Sequence, residues 1–153
     1  MIDGGKLKAQ ATKIAVCLAG GIALASSAAT EQSETLTVYN DATGDAYIQL
    51  EQKSGIGDQI LWNSDMQTED GTIIGTGSGH CTQLDSDRNF FCSFVISLTD
   101  RGIIAGQGVQ LTEPLESTFA ITGGTGEFAG IAGQMTSTPV ENRARFIYEI
   151  DYH

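Results

Sequence analysis

The chain has 153 residues, enough for one domain with a sizeable core. It carries 19 Asp and Glu against 8 Lys and Arg, a formal net charge of −11, which argues against nucleic acid and anionic membrane surfaces as partners. With 19 glycines, 2 prolines and short β-branched runs bounded by turn formers, the composition points to an all-β barrel or sandwich.

Residues 1–29 read as a secretory signal peptide rather than as part of a fold. Lys6, Lys8 and Lys13 make a basic start, Ile14 to Ala25 is an apolar run, and Ser26 to Ala29 are the small residues that suit cleavage. The run is too short for a stable bilayer anchor. This reading places the domain at 30–153 and predicts a secreted or periplasmic protein, with no membrane in its mature form. A cytoplasmic protein with an N-terminal lid helix is the rival.

Thr35 to Tyr39 reads as a first strand, ended by the turn formers Asn40 to Asp45. Ala46 to Gln52 reads as a short edge segment and Gln59 to Asn63 as a second strand. Ser64 to Gly71 is polar and expected to be exposed. From Ile73 to Leu84 a two-residue period puts Gly75, Gly77, Gly79 and Cys81 on one face. The next strand sets Phe90, Cys92, Phe94, Ile96 and Leu98 on one face, after a turn near Asp85 to Arg88. The glycine row then faces the aromatic row, giving either a cavity wall or a tightly packed core; the cavity is expected, because glycines fill a core poorly. Gly102 to Leu111 is a further strand. Ala144 to Tyr152 is the last, with Phe146, Tyr148, Ile150 and Tyr152 on one face.

Between them, Thr118 to Gln134 reads as strand, tight glycine turn and strand, with Gly123, Gly124 and Gly126 able to supply positive φ. No helical period follows these glycines, as a phosphate-binding loop would require. About eight antiparallel strands favour closure, so the expected fold is a single eight-stranded antiparallel β-barrel.

Beyond residue 29 there are two cysteines, Cys81 and Cys92. The hairpin sets them directly opposite each other, which in an exported protein predicts a disulfide; in a cytosolic one Cys81 is a free thiol in the wall. His80 points to the other face and His153 ends the chain, so no metal site and no Ser-His-Asp or Cys-His arrangement is expected.

Gly75 to Cys81, Asp100 to Gly108 and Thr118 to Gln134 carry a resemblance to plant allene oxide cyclases and, more loosely, to dirigent proteins. The resemblance spans roughly Thr35 to Asp151. It implies an eight-stranded barrel, self-associating as a trimer or dimer, with an apolar cavity that holds a small molecule and controls its ring closure by shape. The family's Gly-Ile-Thr-Ala-Gly-Leu-Cys strand resembles Gly75 to Cys81, so its pocket cysteine falls on Cys81, and its pocket phenylalanine falls near Phe90. Its Val-Pro-Phe-Ser-Asn segment resembles Ile60-Leu61-Trp62-Asn63-Ser64. Ile60 and Trp62 thereby take apolar pocket positions, and Ser64, with Asn63 beside it, takes that of a water-binding asparagine. The asparagine of a Glu-x-Asn motif matches Asn40, while its glutamate falls on Val38 and the family's pocket tyrosine falls near Gln110.

The resulting candidates are Asn40, Ser64 and Cys81 for chemistry, and Ile60, Trp62, Asn63, Gly75, Gly77, Gly79, Phe90, Phe94, Ile96 and Gln110 for binding an apolar small molecule. Two functions stay open. One is a cofactor-free cyclase or isomerase. The other is a dirigent-like or lipid-binding protein that holds its ligand without bond chemistry, which the loss of a carboxylate at Val38 favours. A titratable group with a perturbed pKa on the inner surface would discriminate between them.

Overall fold

In a computed structural model of the chain, residues 33–41, 45–50 and 54–153 are described. The segment read as a signal peptide lies outside them. Among the described residues nine strands form: β1 (Glu34–Asp41), β2 (Ala46–Ile48), β3 (Gln59–Gln67), β4 (Ile73–Gln83), β5 (Phe90–Leu98), β6 (Gly102–Gln110), β7 (Ser117–Gly124), β8 (Gly133–Val140) and β9 (Arg145–Tyr152). All pair antiparallel, and pairing of β1 with both β9 and β3 closes eight of them into a barrel. β2 is an extra strand on the outer edge of β3.

Period-two alternation builds the wall. Along β5, Phe90, Cys92, Phe94, Ile96 and Leu98 are buried and the residues between them exposed. On β7, Ser117, Phe119 and Ile121 point inward, and on β9 Tyr148, Ile150 and Tyr152 do. Phe94 meets Phe119 edge-on, with ring centroids 5.6 Å apart.

β3 is longer than the polarity of its second half suggests. It runs on to Gln67, and Ser64 and Met66 are buried while Asn63 and Asp65 face out. The mixture of polar and apolar residues masked a strand whose inward positions simply include a serine.

The inward residues of β3 also account for the glycine row. Trp62 pairs with Gly79, Ser64 with Gly77 and Met66 with Gly75. A Cβ on Gly79 would stand 2.5 Å from the Trp62 indole, and one on Gly77 would overlap the Met66 methyl. Gly77 and Gly79 make room for two large neighbours on the adjacent strand, and Gly75 lies against the Ser97 carbonyl of β5. The expected cavity wall is a packed layer.

The stretch after β7 departs from the expected tight hairpin. Gly126, at φ +64°, opens a single 3-10 turn, Gly126–Phe128, and β8 starts only at Gly133. The connection tucks Phe128 into the barrel end. Its ring is fully buried, meets Tyr152 edge-on at 5.8 Å and lies under the Arg101 guanidinium. This end of the barrel, where β1, β4, β6 and β8 begin, is closed.

Candidate functional site

Among the described residues the opposite end is open. β3, β5, β7 and β9 begin there, and a chamber of about 280 Å³ enters the barrel between them. Its apolar walls are Ile60 and Trp62 from β3, Phe90 from β5 and Phe146 with Tyr148 from β9. Cys81 contributes sulfur that is bonded to Cys92, so it carries no thiol there. That removes Cys81 as a nucleophile or acid.

Asn40 and Ser64 supply a buried polar pair. The Asn40 amide donates to Ser64 Oγ at 2.8 Å across the barrel seam between β1 and β3. Each lies on the inward face of its strand, and both line the chamber. Gln110 lines it too, with its amide held by Ser117 Oγ at 3.1 Å.

The rim is formed by loops. Leu111, Thr112 and Leu115 lie on one side, and Pro139 and Arg143 beside them. Thr112 donates to the Arg88 carbonyl at 2.6 Å, and Arg143 Nη2 donates to the Thr112 carbonyl at 3.2 Å, so the two rim loops are tied together. Glu141, Asn142 and Arg143 hold φ values of 50°, 61° and 69°, three consecutive non-glycine residues in left-handed backbone. Such strain is retained where surrounding structure fixes it, often beside functional sites.

Two titratable groups on the chamber are perturbed. Asp45, immediately before β2, is exposed as a residue, yet partial burial of its carboxyl against the chamber raises its pKa above the ordinary carboxylate value. Burial pushes the Tyr148 phenol well above its usual 10.0, and the negative charge of Asp45 adds to the shift. Asp45 is the one carboxylate on the chamber wall among the described residues.

Seven sequence-derived candidates therefore come together: Asn40, Ile60, Trp62, Ser64, Cys81, Phe90 and Gln110. Six do not. Gly75, Gly77 and Gly79 lie beneath Trp62 and Met66 or against backbone, and Ile96 is buried in the core. Phe94 borders a smaller cavity of about 40 Å³ below the chamber, and Asn63 faces solvent because it alternates with Trp62 and Ser64. Phe146 and Tyr148 were legible as one inward face of the last strand. Asp45 and Arg143 sit on connections, where no period marks them. Among the described residues no cluster of His, Cys, Asp and Glu is arranged to hold a metal ion, and no helix is long and apolar enough to cross a membrane.

The family model described as an allene oxide cyclase barrel like domain matches residues 33–151. Among solved structures, pyocyanin demethylase shares 23% identity over 78% of this chain and 100% of its own, with a TM-score of 0.69. A pterocarpan synthase dirigent protein shares 15% identity over 79% of this chain and 83% of its own, with a TM-score of 0.64. An exo-specific intermolecular Diels-Alderase shares 12% identity over 79% and 98%, with a TM-score of 0.63. At these identities the likeness concerns the fold. Comparison with curated proteins gives no match.

Proposed function

This chain belongs to the allene oxide cyclase-like barrel family, and on that premise we propose that it binds an apolar small molecule in the open-end chamber and controls its ring closure. The observation that carries the reading is the chamber itself: aromatic and aliphatic walls, a buried Asn40–Ser64 pair and two perturbed titratable groups at one barrel end. A mostly apolar cleft with a few oriented polar groups is the usual form of a small-molecule site. Catalysis would come from holding one conformer away from water, with no cofactor. That barrels of this fold include a Diels-Alderase and a demethylase supports the enzymatic reading.

A second reading, a dirigent-like protein that holds its ligand without bond chemistry, is favoured by Val38. It stands where the family has glutamate and is fully buried away from the chamber. Asp45 weighs against it, since it brings a carboxyl to the chamber from another position.

The experiment is ring closure of an allene oxide generated in situ, with and without the protein, followed by chiral analysis of the cyclopentenone. Enantiomeric enrichment is the expected result. A racemic product with binding retained, seen as quenching of the single tryptophan Trp62, would assign the holding role instead. Loss of both would remove the small-molecule reading. We also propose export to an oxidising compartment, supported by the Cys81–Cys92 disulfide and the basic-apolar-small pattern of residues 1–29.

A further inference from the structure

Tyr148 is 8% exposed, and most of its ring is sealed between strands. It pairs with Val38 on β1 and Ser137 on β8, three residues in from the start of β9, so it stands roughly 10 Å below the rim. Its hydroxyl makes no hydrogen bond among the described residues. Nor is the oxygen sealed off: the one sealed side-chain polar atom among them without a hydrogen bond is Arg145 Nε, which is ion-paired with Asp41. The hydroxyl therefore keeps an opening, and the spaces Tyr148 borders are the chamber and the smaller cavity beneath it.

A phenol so placed is an unspent hydrogen-bond donor. Tyrosine hydroxyls buried in proteins almost always find a partner, because leaving one unpaired costs much of its desolvation. The neighbouring polar groups do not supply one. The Asn40 amide nitrogen donates to Ser64 and that of Gln110 to Ser117, and the carbonyl oxygen of neither is hydrogen-bonded to the phenol. Asp45 is close enough for its charge to disfavour phenolate, so the group facing the chamber is the neutral O–H.

We propose that Tyr148 is the polar anchor of the ligand, donating its hydroxyl proton in a hydrogen bond to an uncharged acceptor oxygen, a carbonyl or ether, on an otherwise apolar ring system. This rests on the small-molecule reading above and narrows its ligand class. Asp45 on the same wall disfavours an anionic group at that position, since a second carboxylate would face both like charge and desolvation. Arg143, the one cation on the chamber wall among the described residues, is exposed at the rim and tied to the Thr112 carbonyl, so an acid reaching it would leave the Tyr148 hydroxyl unpaired.

Three matched bicyclic probes test this by Trp62 quenching: 2-acetylnaphthalene, 2-ethylnaphthalene and 2-naphthoate. Wild type should bind the ketone roughly fivefold more tightly than the hydrocarbon, the ordinary worth of one net hydrogen bond, and the carboxylate most weakly. Tyr148→Phe keeps the ring and removes the donor. It should bind the hydrocarbon as wild type does and lose the ketone preference. An undiminished ketone preference in Tyr148→Phe overturns the anchor, and so does 2-naphthoate binding best in wild type, which would transfer the role to Arg143. Binding of all three probes without discrimination overturns the anchor while sparing the small-molecule reading. Binding of none of them takes down both.

Discussion

At one end of the barrel Phe128 is fully buried against Tyr152; at the other Phe146 is half-buried on the chamber wall beside Tyr148. The strands are the same eight. What differs is the connection that crosses each end. The residues between β7 and β8 fold back and insert an aromatic plug, with Ile131 buried beside it. The rim loops instead bond to one another, Thr112 to Arg88 and Arg143 to Thr112, and among the described residues nothing covers the interior. The closed end is where burial stabilises the fold. The open end trades that burial for a chamber lined by groups with unspent polar capacity, as functional sites commonly do.

The comparison breaks most readily at Phe128. Its replacement by alanine should cost about 4 kcal/mol in urea unfolding, the usual loss for a fully buried ring, and leave Trp62 quenching by an apolar probe unchanged in the folded fraction. A loss below about 1 kcal/mol would mean that the plug is not structural. Next in size is Gly77→Leu, which forces a side chain into the space held by Met66 and Trp62. Destabilisation of about 2–3 kcal/mol is expected from overpacking. A fully stable variant that loses probe binding would restore the glycine row as cavity wall.

Phe146→Ala should show the reverse pattern of Phe128→Ala. A half-buried ring costs about 1 kcal/mol to remove, while probe affinity should fall several-fold because the ring faces the chamber. Equal losses at both ends would erase the distinction between them.

The smallest effect is a pH dependence. The folded-state pKa of Tyr148 is raised above 10.0, so its contribution to stability is fully present below pH 10 and is lost as pH rises beyond that value, when the unfolded state can ionise and the folded state resists. The melting temperature of wild type should therefore fall relative to Tyr148→Phe above about pH 10. Parallel curves for the two proteins would show that the phenol is not desolvated.

Most of the wall was legible because alternation is a local signal. Phe90 to Leu98 on β5 and Phe146 to Tyr152 on β9 each announce an inward face, and the Cys81–Cys92 register follows from the turn between them. What alternation cannot say is which strand fills the space in front of a glycine. Gly75, Gly77 and Gly79 were read against their β5 neighbours, yet Met66 and Trp62 on β3 fill that space at Gly77 and Gly79, and only Gly75 lies against β5, at the Ser97 carbonyl. The same limit hid the plug, because Phe128 follows glycines that can equally make a two-residue turn. The chamber was found through Ile60, Trp62 and Phe90, which resemble pocket positions of the family. Asp45 comes to the chamber beside the short pairing of β2 with β3, and Arg143 through the left-handed turn before β9, neither of which has a periodic signature.

The central claim is that one end of the barrel binds and the other does not. Side-chain chemical shifts measured while titrating 2-acetylnaphthalene into the folded protein test it most directly. Shifts should concentrate on Ile60, Trp62, Phe90, Phe146 and Tyr148, with Ile104, Phe128 and Ile131 unmoved. Shifts centred on Phe128 and Ile131, or saturating binding that leaves Trp62 and Tyr148 unperturbed, would contradict it.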